Sequence, residues 1–282
     1  MYAIAQGINP NQIFTGGGDR IVALWDGRSG NQLPFSVRTE APIYSLFFFE
    51  SAQLLFMGCS NGKLHVVDVQ SKKETHAWSL DGNGIFDLKL DAARGRLLAA
   101  GGSGVLTVLD LSSMEVIRSI PLSDGKLRRL AINKDCSLLA VADSSGPVHI
   151  LDAESYHTTH ILNAHAEGAT AVAWHPSKPV IISGGKDAFI RCHSSLDNFK
   201  QVLSLAAHQS TIYDVVYHAA TQQFVSCSRD KTIKWWDSAT FDPQRRVGFA
   251  AAGHKHSVNR LLSSGLHIVS ASDDYRVLVF GA

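Results

Sequence analysis

The sequence predicts an all-β protein of seven repeated units, each of about four strands, and three observations lead there. A turn-and-strand segment recurs at nearly constant spacing: TGGGDRIVALWD, MGCSNGKLHVVD, AAGGSGVLTVLD and VADSSGPVHILD end at Asp26, Asp68, Asp110 and Asp152, 42 residues apart each time. SGGKDAFIRCHS, SCSRDKTIKWWD and SASDDYRVLVFG carry the series on to Ser194, Asp237 and Gly281, at intervals of 42, 43 and 44. Self-similarity at such a period marks a repeat architecture. Inside each segment an apolar run, a Gly/Ser/Asp turn and an alternation of β-branched and polar residues follow one another, as at Thr232, Ile233, Lys234 and Trp235. That alternation is the periodicity of a strand. No stretch carries the spacing of an amphipathic helix.

The elements of one period come in a fixed order. An apolar run opens it, as in MYAIAQ from Met1 to Gln6, IYSLFF from Ile43 to Phe48 and IFDLKL from Ile85 to Leu90. A turn with Pro, Gly or Asn ends the run, as in INPNQI from Ile8 to Ile13 and WHPSKPV from Trp174 to Val180. Pro presets φ there, while Gly and Asn tolerate the reversal. With the hairpin that follows, each period holds about four strands.

These units resemble the WD-repeat (WD40-type) seven-bladed β-propeller family, and the resemblance covers residues 1–282 as a single propeller. Trp25-Asp26 and Trp236-Asp237 are the literal Trp-Asp pair, Gly253-His254 is the Gly-His pair, and the period lies in the family's range of roughly 40 to 45 residues. The resemblance implies a buried hydrogen-bonded chain of His, Ser or Thr, Asp and Trp in each complete blade. Blade six has it whole, as His208, Ser226, Asp230 and Trp236. Blade seven has His254, Ser270 and Asp274 with Phe280 in the Trp place, and blade five has His165, Ser183 and Asp187 with His193 there. Blades two, three and four carry Met57, Ala99 and Val141 where Ser would stand and are expected to rely on apolar packing. A Ser, a His and an Asp together suggest a hydrolase triad. Its recurrence in several blades, ending on an indole donor that ties up the hydroxyl, makes it a structural chain instead.

Composition narrows the function further. Lys plus Arg number 26 against 25 acids, a net charge of +1 with no long basic run, so nucleic acid is not an expected partner. The four cysteines, Cys59, Cys136, Cys192 and Cys227, lie far apart without CxxC spacing, which points to a reducing compartment and no metal. Neither a signal peptide nor an apolar run of the roughly 18 residues that spans a bilayer is present, so a cytoplasmic location without membrane attachment is expected. Gly16, Gly17 and Gly18 resemble a phosphate cradle, but no GK[ST] follows and a tight hairpin turn suits them better. His157 and His160, with His165 beyond, have ligand chemistry, yet residues three apart on a strand face opposite ways. No cofactor is expected. The stretch Trp25-Asp26-Gly27-Arg28 matches a short signature by which some propellers dock on a ubiquitin-ligase adaptor, which keeps a substrate-receptor reading open.

A propeller's partners meet its loops and channel rim. By the resemblance, one position on each inner strand points to the top rim, and here it reads Tyr2, Tyr44, Phe86, Arg128, Thr170, Tyr213 and Asn259. Turn residues Lys186, Arg229 and Asp273 face the same side. Aromatic anchors among a few charges have the composition of an interaction hot spot. The expected function is therefore a non-catalytic scaffold that binds a peptide or protein on the top face. The alternative is an enzyme centred on the channel, where Ala3, Ser45, Asp87, Arg129, Ala171, Asp214 and Arg260 come next along the strands. Asp87 and Asp214 would be its acid and base, although Arg129 and Arg260 are at hand to keep both ionised. A third reading is a structural domain of a longer protein. MYAIAQ aligns with inner strands rather than with the outer strand that closes such rings, so the blade ending at Gly281 is expected to have three strands. Either an upstream segment or a strand-donating partner would then complete it.

Overall fold

A computed structural model describes residues 1–265 and 267–281. It contains seven antiparallel sheets arranged as the blades of a propeller, six of four strands and the last of three. The inner strands are Ala3–Gln6, Ile43–Phe49, Ile85–Asp91, Leu127–Ile132, Ala169–Trp174, Ile212–His218 and Val258–Ser264. In blades one to six the outer strand is exposed at most positions, as in Lys73–Ser79 and Glu115–Pro121. Blade seven ends on its third strand, Val277–Gly281. Among the described residues helix is confined to two single turns, Glu50–Ala52 and Phe249–Ala251. Among the described residues no helix is long and apolar enough to cross a membrane.

The core is divided rather than central. Each pair of neighbouring blades encloses its own apolar cluster, because the second and third strands are buried on both faces between sheets. Phe14, Phe35, Ile43 and Leu55 fill the space between blades one and two, and Val225, Trp235, Val258 and Ile268 that between blades six and seven. The seam between blades seven and one holds the smallest cluster among the described residues, Ile4, Ile13, Val269 and Ala271. Polar clasps reinforce the ring on its inner side. Ser45 Oγ donates to the Ile85 carbonyl at 2.9 Å and Trp174 Nε1 to the Ala131 carbonyl at 3.1 Å, each joining adjacent blades. At the seam Ser264 Oγ donates to the Pro10 carbonyl at 2.8 Å.

Blade four departs from the expectation of purely apolar packing. His149 and Asp143, both buried, are bonded at 3.1 Å, and Asp143 also accepts the Ser145 N–H at 2.8 Å. Burial would raise the Asp143 carboxyl, but His149 and its serine donors bring it down to about 2. The sheet therefore contains a buried polar pair from positions outside the repeating pattern.

Candidate partner-binding face

The channel mouth is shaped by a recurring backbone irregularity. Near the top of the inner strand in blades two to seven, pairing with the second strand slips by one residue, from Ile43 to Ser45 and likewise past Phe86, Arg128, Thr170, Tyr213 and Asn259. Each skipped residue is the extra member of a β-bulge, without a cross-strand partner, and a bulge re-aims the side chain it carries. In blade one Tyr2 lies just before the first paired residue, Ala3, and its N–H bonds the Gly16 carbonyl at 3.0 Å.

These seven side chains, with Arg260 and Asp273, surround a cavity of about 300 Å³. Tyr44 stacks on Phe86 at 5.1 Å between ring centroids, Tyr2 meets Tyr44 edge-on at 5.8 Å, and the Arg128 guanidinium lies 4.5 Å from the Phe86 centroid. The rings thus pack on adjacent blades and also line the opening. Asp273 accepts from Asn259 Nδ2 at 2.6 Å. Lys186 and Arg229 are exposed and do not line the cavity; Lys186 Nζ donates to the Ser144 carbonyl at 3.3 Å. Arg260, assigned by sequence to the next layer down, reaches this wall. The signal for it is the bulge, which lets consecutive residues both turn toward the channel.

Beneath the cavity, an ion cluster spans the channel. Asp87 Oδ1 accepts from Arg129 Nη1 at 3.0 Å and Arg260 Nη2 at 3.1 Å, and its Oδ2 from the Leu130 N–H at 2.9 Å. Asp214 accepts from Arg129 Nε at 3.1 Å, from Arg129 Nη2, and from the Leu261 N–H at 2.9 Å. Burial pushes the Asp87 carboxyl up, and Arg129 and the Leu130 N–H oppose that. Two acids and two bases share one site, with both oxygens of each carboxylate occupied. A second cavity of about 340 Å³ lies along this cluster and includes Lys89, Trp174 and Tyr217 in its wall.

The hydrogen-bonded chains sit away from the cavity, inside the blades. In blade six His208 Nε2 meets Ser226 Oγ at 2.7 Å, His208 Nδ1 meets Asp230 at 3.0 Å, and Trp236 Nε1 donates to Ser226 Oγ at 2.8 Å. Blade seven keeps His254 to Ser270 at 2.8 Å and to Asp274 at 3.0 Å, while Phe280 packs edge-on against Trp235 at 5.5 Å. Blade five keeps His165 to Ser183 and to Asp187, both at 2.9 Å, and Arg191 joins the Asp187 carboxylate at 2.5 Å. Blade one retains the indole half, Trp25 Nε1 donating to Thr15 Oγ1 at 2.9 Å. Asp26 accepts the Arg28 and Ser29 N–H groups at 2.9 and 2.8 Å, so the Trp-Asp pair there fixes its own turn while Arg28 is exposed. His160 pairs with Asn198 at 2.9 Å and packs on Phe199. Among the described residues no group of three or more metal-binding side chains gathers. Burial pushes the Cys59 thiol up to about 11 and Cys192 up to about 12.

Burial lowers the pKa of His165, His208 and His254, and brings His193 down to about 4, with nearby His165 and Arg191 adding to its fall. His193 Nδ1 is buried without a partner. An imidazole whose folded pKa is depressed contributes stability that is complete above the unfolded value of about 6.5 and is lost as pH falls through the folded one. Unfolding in urea should therefore show the histidine contribution complete above pH 7 and declining from pH 6.5 to 4. His193→Gln should remove about 3 kcal/mol of that decline. An unchanged decline in the variant would show that His193 does not titrate in this window.

Residues 199–237 match the WD40 family (WD domain, G-beta repeat), and residues 103–177 match the anaphase-promoting complex subunit 4 WD40 domain. Among curated proteins, the chain is similar to a probable cytosolic Fe-S cluster assembly factor of Schizosaccharomyces pombe, 22% identical over 44% of this chain and 21% of that protein. It is 28% identical to the U3 small nucleolar RNA-associated protein 4 of Saccharomyces cerevisiae, over 50% of this chain and 20% of that one. With autophagy-related protein 16 of Arabidopsis thaliana it shares 22% identity over 61% of this chain and 34% of the relative. The matched stretches thus span only a fifth to a third of these relatives' own lengths.

Proposed function

We propose that this chain, a seven-bladed WD-repeat β-propeller, is a non-catalytic scaffold that holds a peptide or protein on its top face. The observation that carries the proposal is the bulge-built rim, which gathers Tyr2, Tyr44, Phe86 and Tyr213 with two arginines around one concave opening. Rings already braced against one another lose little freedom on binding, and this is what makes aromatic residues effective anchors. WD-repeat propellers are typically platforms for protein interaction and generally not catalysts. Relatives named for Fe-S cluster assembly, small nucleolar RNA association and autophagy favour a shared mode of assembly over a shared reaction. Against the channel-centred enzyme stands the occupancy of Asp87 and Asp214, whose oxygens are all engaged by arginine or backbone donors. The outer edge of Val277–Gly281 is where a fourth strand would pair, supplied either by an upstream segment or by a partner.

Combining Tyr44→Ala with Tyr213→Ala is expected to weaken partner capture more than ~tenfold, the scale of a hot-spot loss. Thermal stability should fall by only about 1 kcal/mol, for the stacking of Tyr44 on its neighbours. Affinity capture from the native cell extract, with melting curves on the same variants, checks both. Undiminished capture, or a collapse of stability, would make the rings packing groups only.

A further inference from the structure

The cations at the channel mouth differ in how they are satisfied. Arg260 donates to the Phe86 carbonyl and to Asp87, and Arg129 bridges Asp87 and Asp214. Arg128 has neither kind of bond: among the described residues no acceptor and no carboxylate engages its guanidinium, which rests over the Phe86 ring. Burial pulls its pKa below the ordinary arginine value, Tyr213 and Tyr44 oppose the fall, and Arg129 adds to it, so no carboxylate balances this charge. A guanidinium presents a planar fork of donors matched to two oxygens of a carboxylate or phosphate. Leaving such a fork unmade in a recess is costly, and an incoming oxyanion removes that cost.

The surroundings point the same way. Lys126 Nζ also lies over Phe86, 5.5 Å from its centroid, so the wall at blades three and four is positive. The acid of the cavity, Asp273, belongs to blade seven and is bonded to Asn259. Between these two sides stands the Tyr44–Phe86 pair, whose faces suit the apolar atoms beside a charged group. The cavity is therefore polarised, and its cationic end is the one left without a partner.

We infer that the cavity accepts an anionic side chain of a partner peptide, its oxyanion seated on the Arg128 guanidinium and its neighbouring apolar atoms on Tyr44 and Phe86. This rests on the top-face binding proposed above and names its ligand chemistry. Carboxylate side chains and phosphoserine share that chemistry, so the test separates those two.

The intact chain, immobilised, is offered four pools of fluorescein-labelled decapeptides, random except for a central Asp, phosphoserine, Ser or Lys. The Asp or phosphoserine pool should be retained at least ~tenfold over the Ser and Lys pools, and the ratio between those two identifies the oxyanion. Arg128→Gln should erase the preference while the Tm holds or rises, since an uncompensated charge has been removed. Equal retention of all pools overturns the inference, as does a preference that survives Arg128→Gln, or a variant that melts well below the parent. If preference is absent while Tyr44→Ala still lowers retention, the anionic ligand fails and the scaffold stands. Retention of no pool at all counts against both.

Discussion

Replacing Arg129 by methionine is expected to destabilise the ring by about 3–5 kcal/mol. At roughly 2–4 °C per kcal/mol for a chain near this size, that is a fall in Tm of about ten degrees. The reason lies in what remains. Asp87 and Asp214 are both buried, and Arg129 is bonded to each of them. Methionine fills the volume and removes the charge, so two carboxylates face each other across the channel with Arg260 bonded to Asp87 alone. Discharging the acids should reverse part of the loss: Asp87→Asn and Asp214→Asn added to Arg129→Met should recover some of it, because asparagine oxygens can still accept the Leu130 and Leu261 N–H groups while Arg260 keeps the Phe86 carbonyl. The deficit of the single variant should also shrink as pH falls and protons neutralise the carboxylates. A single variant as stable as the parent, or a triple variant worse than the single, would mean that the cluster contributes nothing beyond packing.

Asp230→Ala is expected to cost about 3 kcal/mol, the scale of leaving buried polar groups unsatisfied. One carboxylate serves four donors here: His208 Nδ1 and the Gln209 N–H at 3.0 Å, the Thr232 N–H at 2.9 Å and Thr232 Oγ1 at 2.7 Å. Without it the imidazole Nδ1 keeps only Thr232 Oγ1 at 3.2 Å, and the Nε2 grip on Ser226 loses its anchor. Although burial pushes the Asp230 carboxyl up, His208, Gln209 and Thr232 hold it well below the ordinary carboxylate range. A depressed folded pKa means that the contribution is complete above about pH 4 and is lost as pH falls further. Urea unfolding at pH 7 should separate parent and variant by the full amount, and at pH 3 by less. A gap independent of pH would assign the cost to shape rather than to charge.

The repeats were legible because strand-turn-strand units of one length must recur at one spacing, and residues from Thr15 to Asp274 keep their offsets within them. The hydrogen-bonded chains were legible for the same reason: His208, Ser226, Asp230 and Trp236 are recognisable by interval alone. The pair of Asp143 and His149 was not, since it belongs to a blade without those residues and puts Asp and His at hairpin positions where blade six has Ser228 and Lys234. Arg191 escaped notice similarly, because joining Asp187 depends on the direction its side chain takes from a position where other blades hold His149 or Lys234. The placement of rim residues followed from strand order, but their geometry did not. Simple alternation sends adjacent residues to opposite faces of a sheet. Arg128 and Arg129 instead both serve the channel, one in the upper cavity and one in the ion cluster, because the register slips between Leu127 and Arg129.

That slip also separates two kinds of inheritance. A residue inside a ladder is constrained by the residue across from it, so a change on one strand calls for a matching change on the other. Tyr44, Phe86, Arg128, Tyr213 and Asn259 have no such opposite number. Thr170 and Asn259 are tied in other ways: the Thr170 hydroxyl donates to the Gly184 carbonyl at 3.1 Å and also to that of Ile212, and Asn259 Nδ2 donates to the Met1 carbonyl at 2.9 Å and to Asp273 at 2.6 Å. Four of the rim positions can therefore mutate without a matching change across the ladder, and descendants of this ring can diverge in what they grasp while their ladders stay the same.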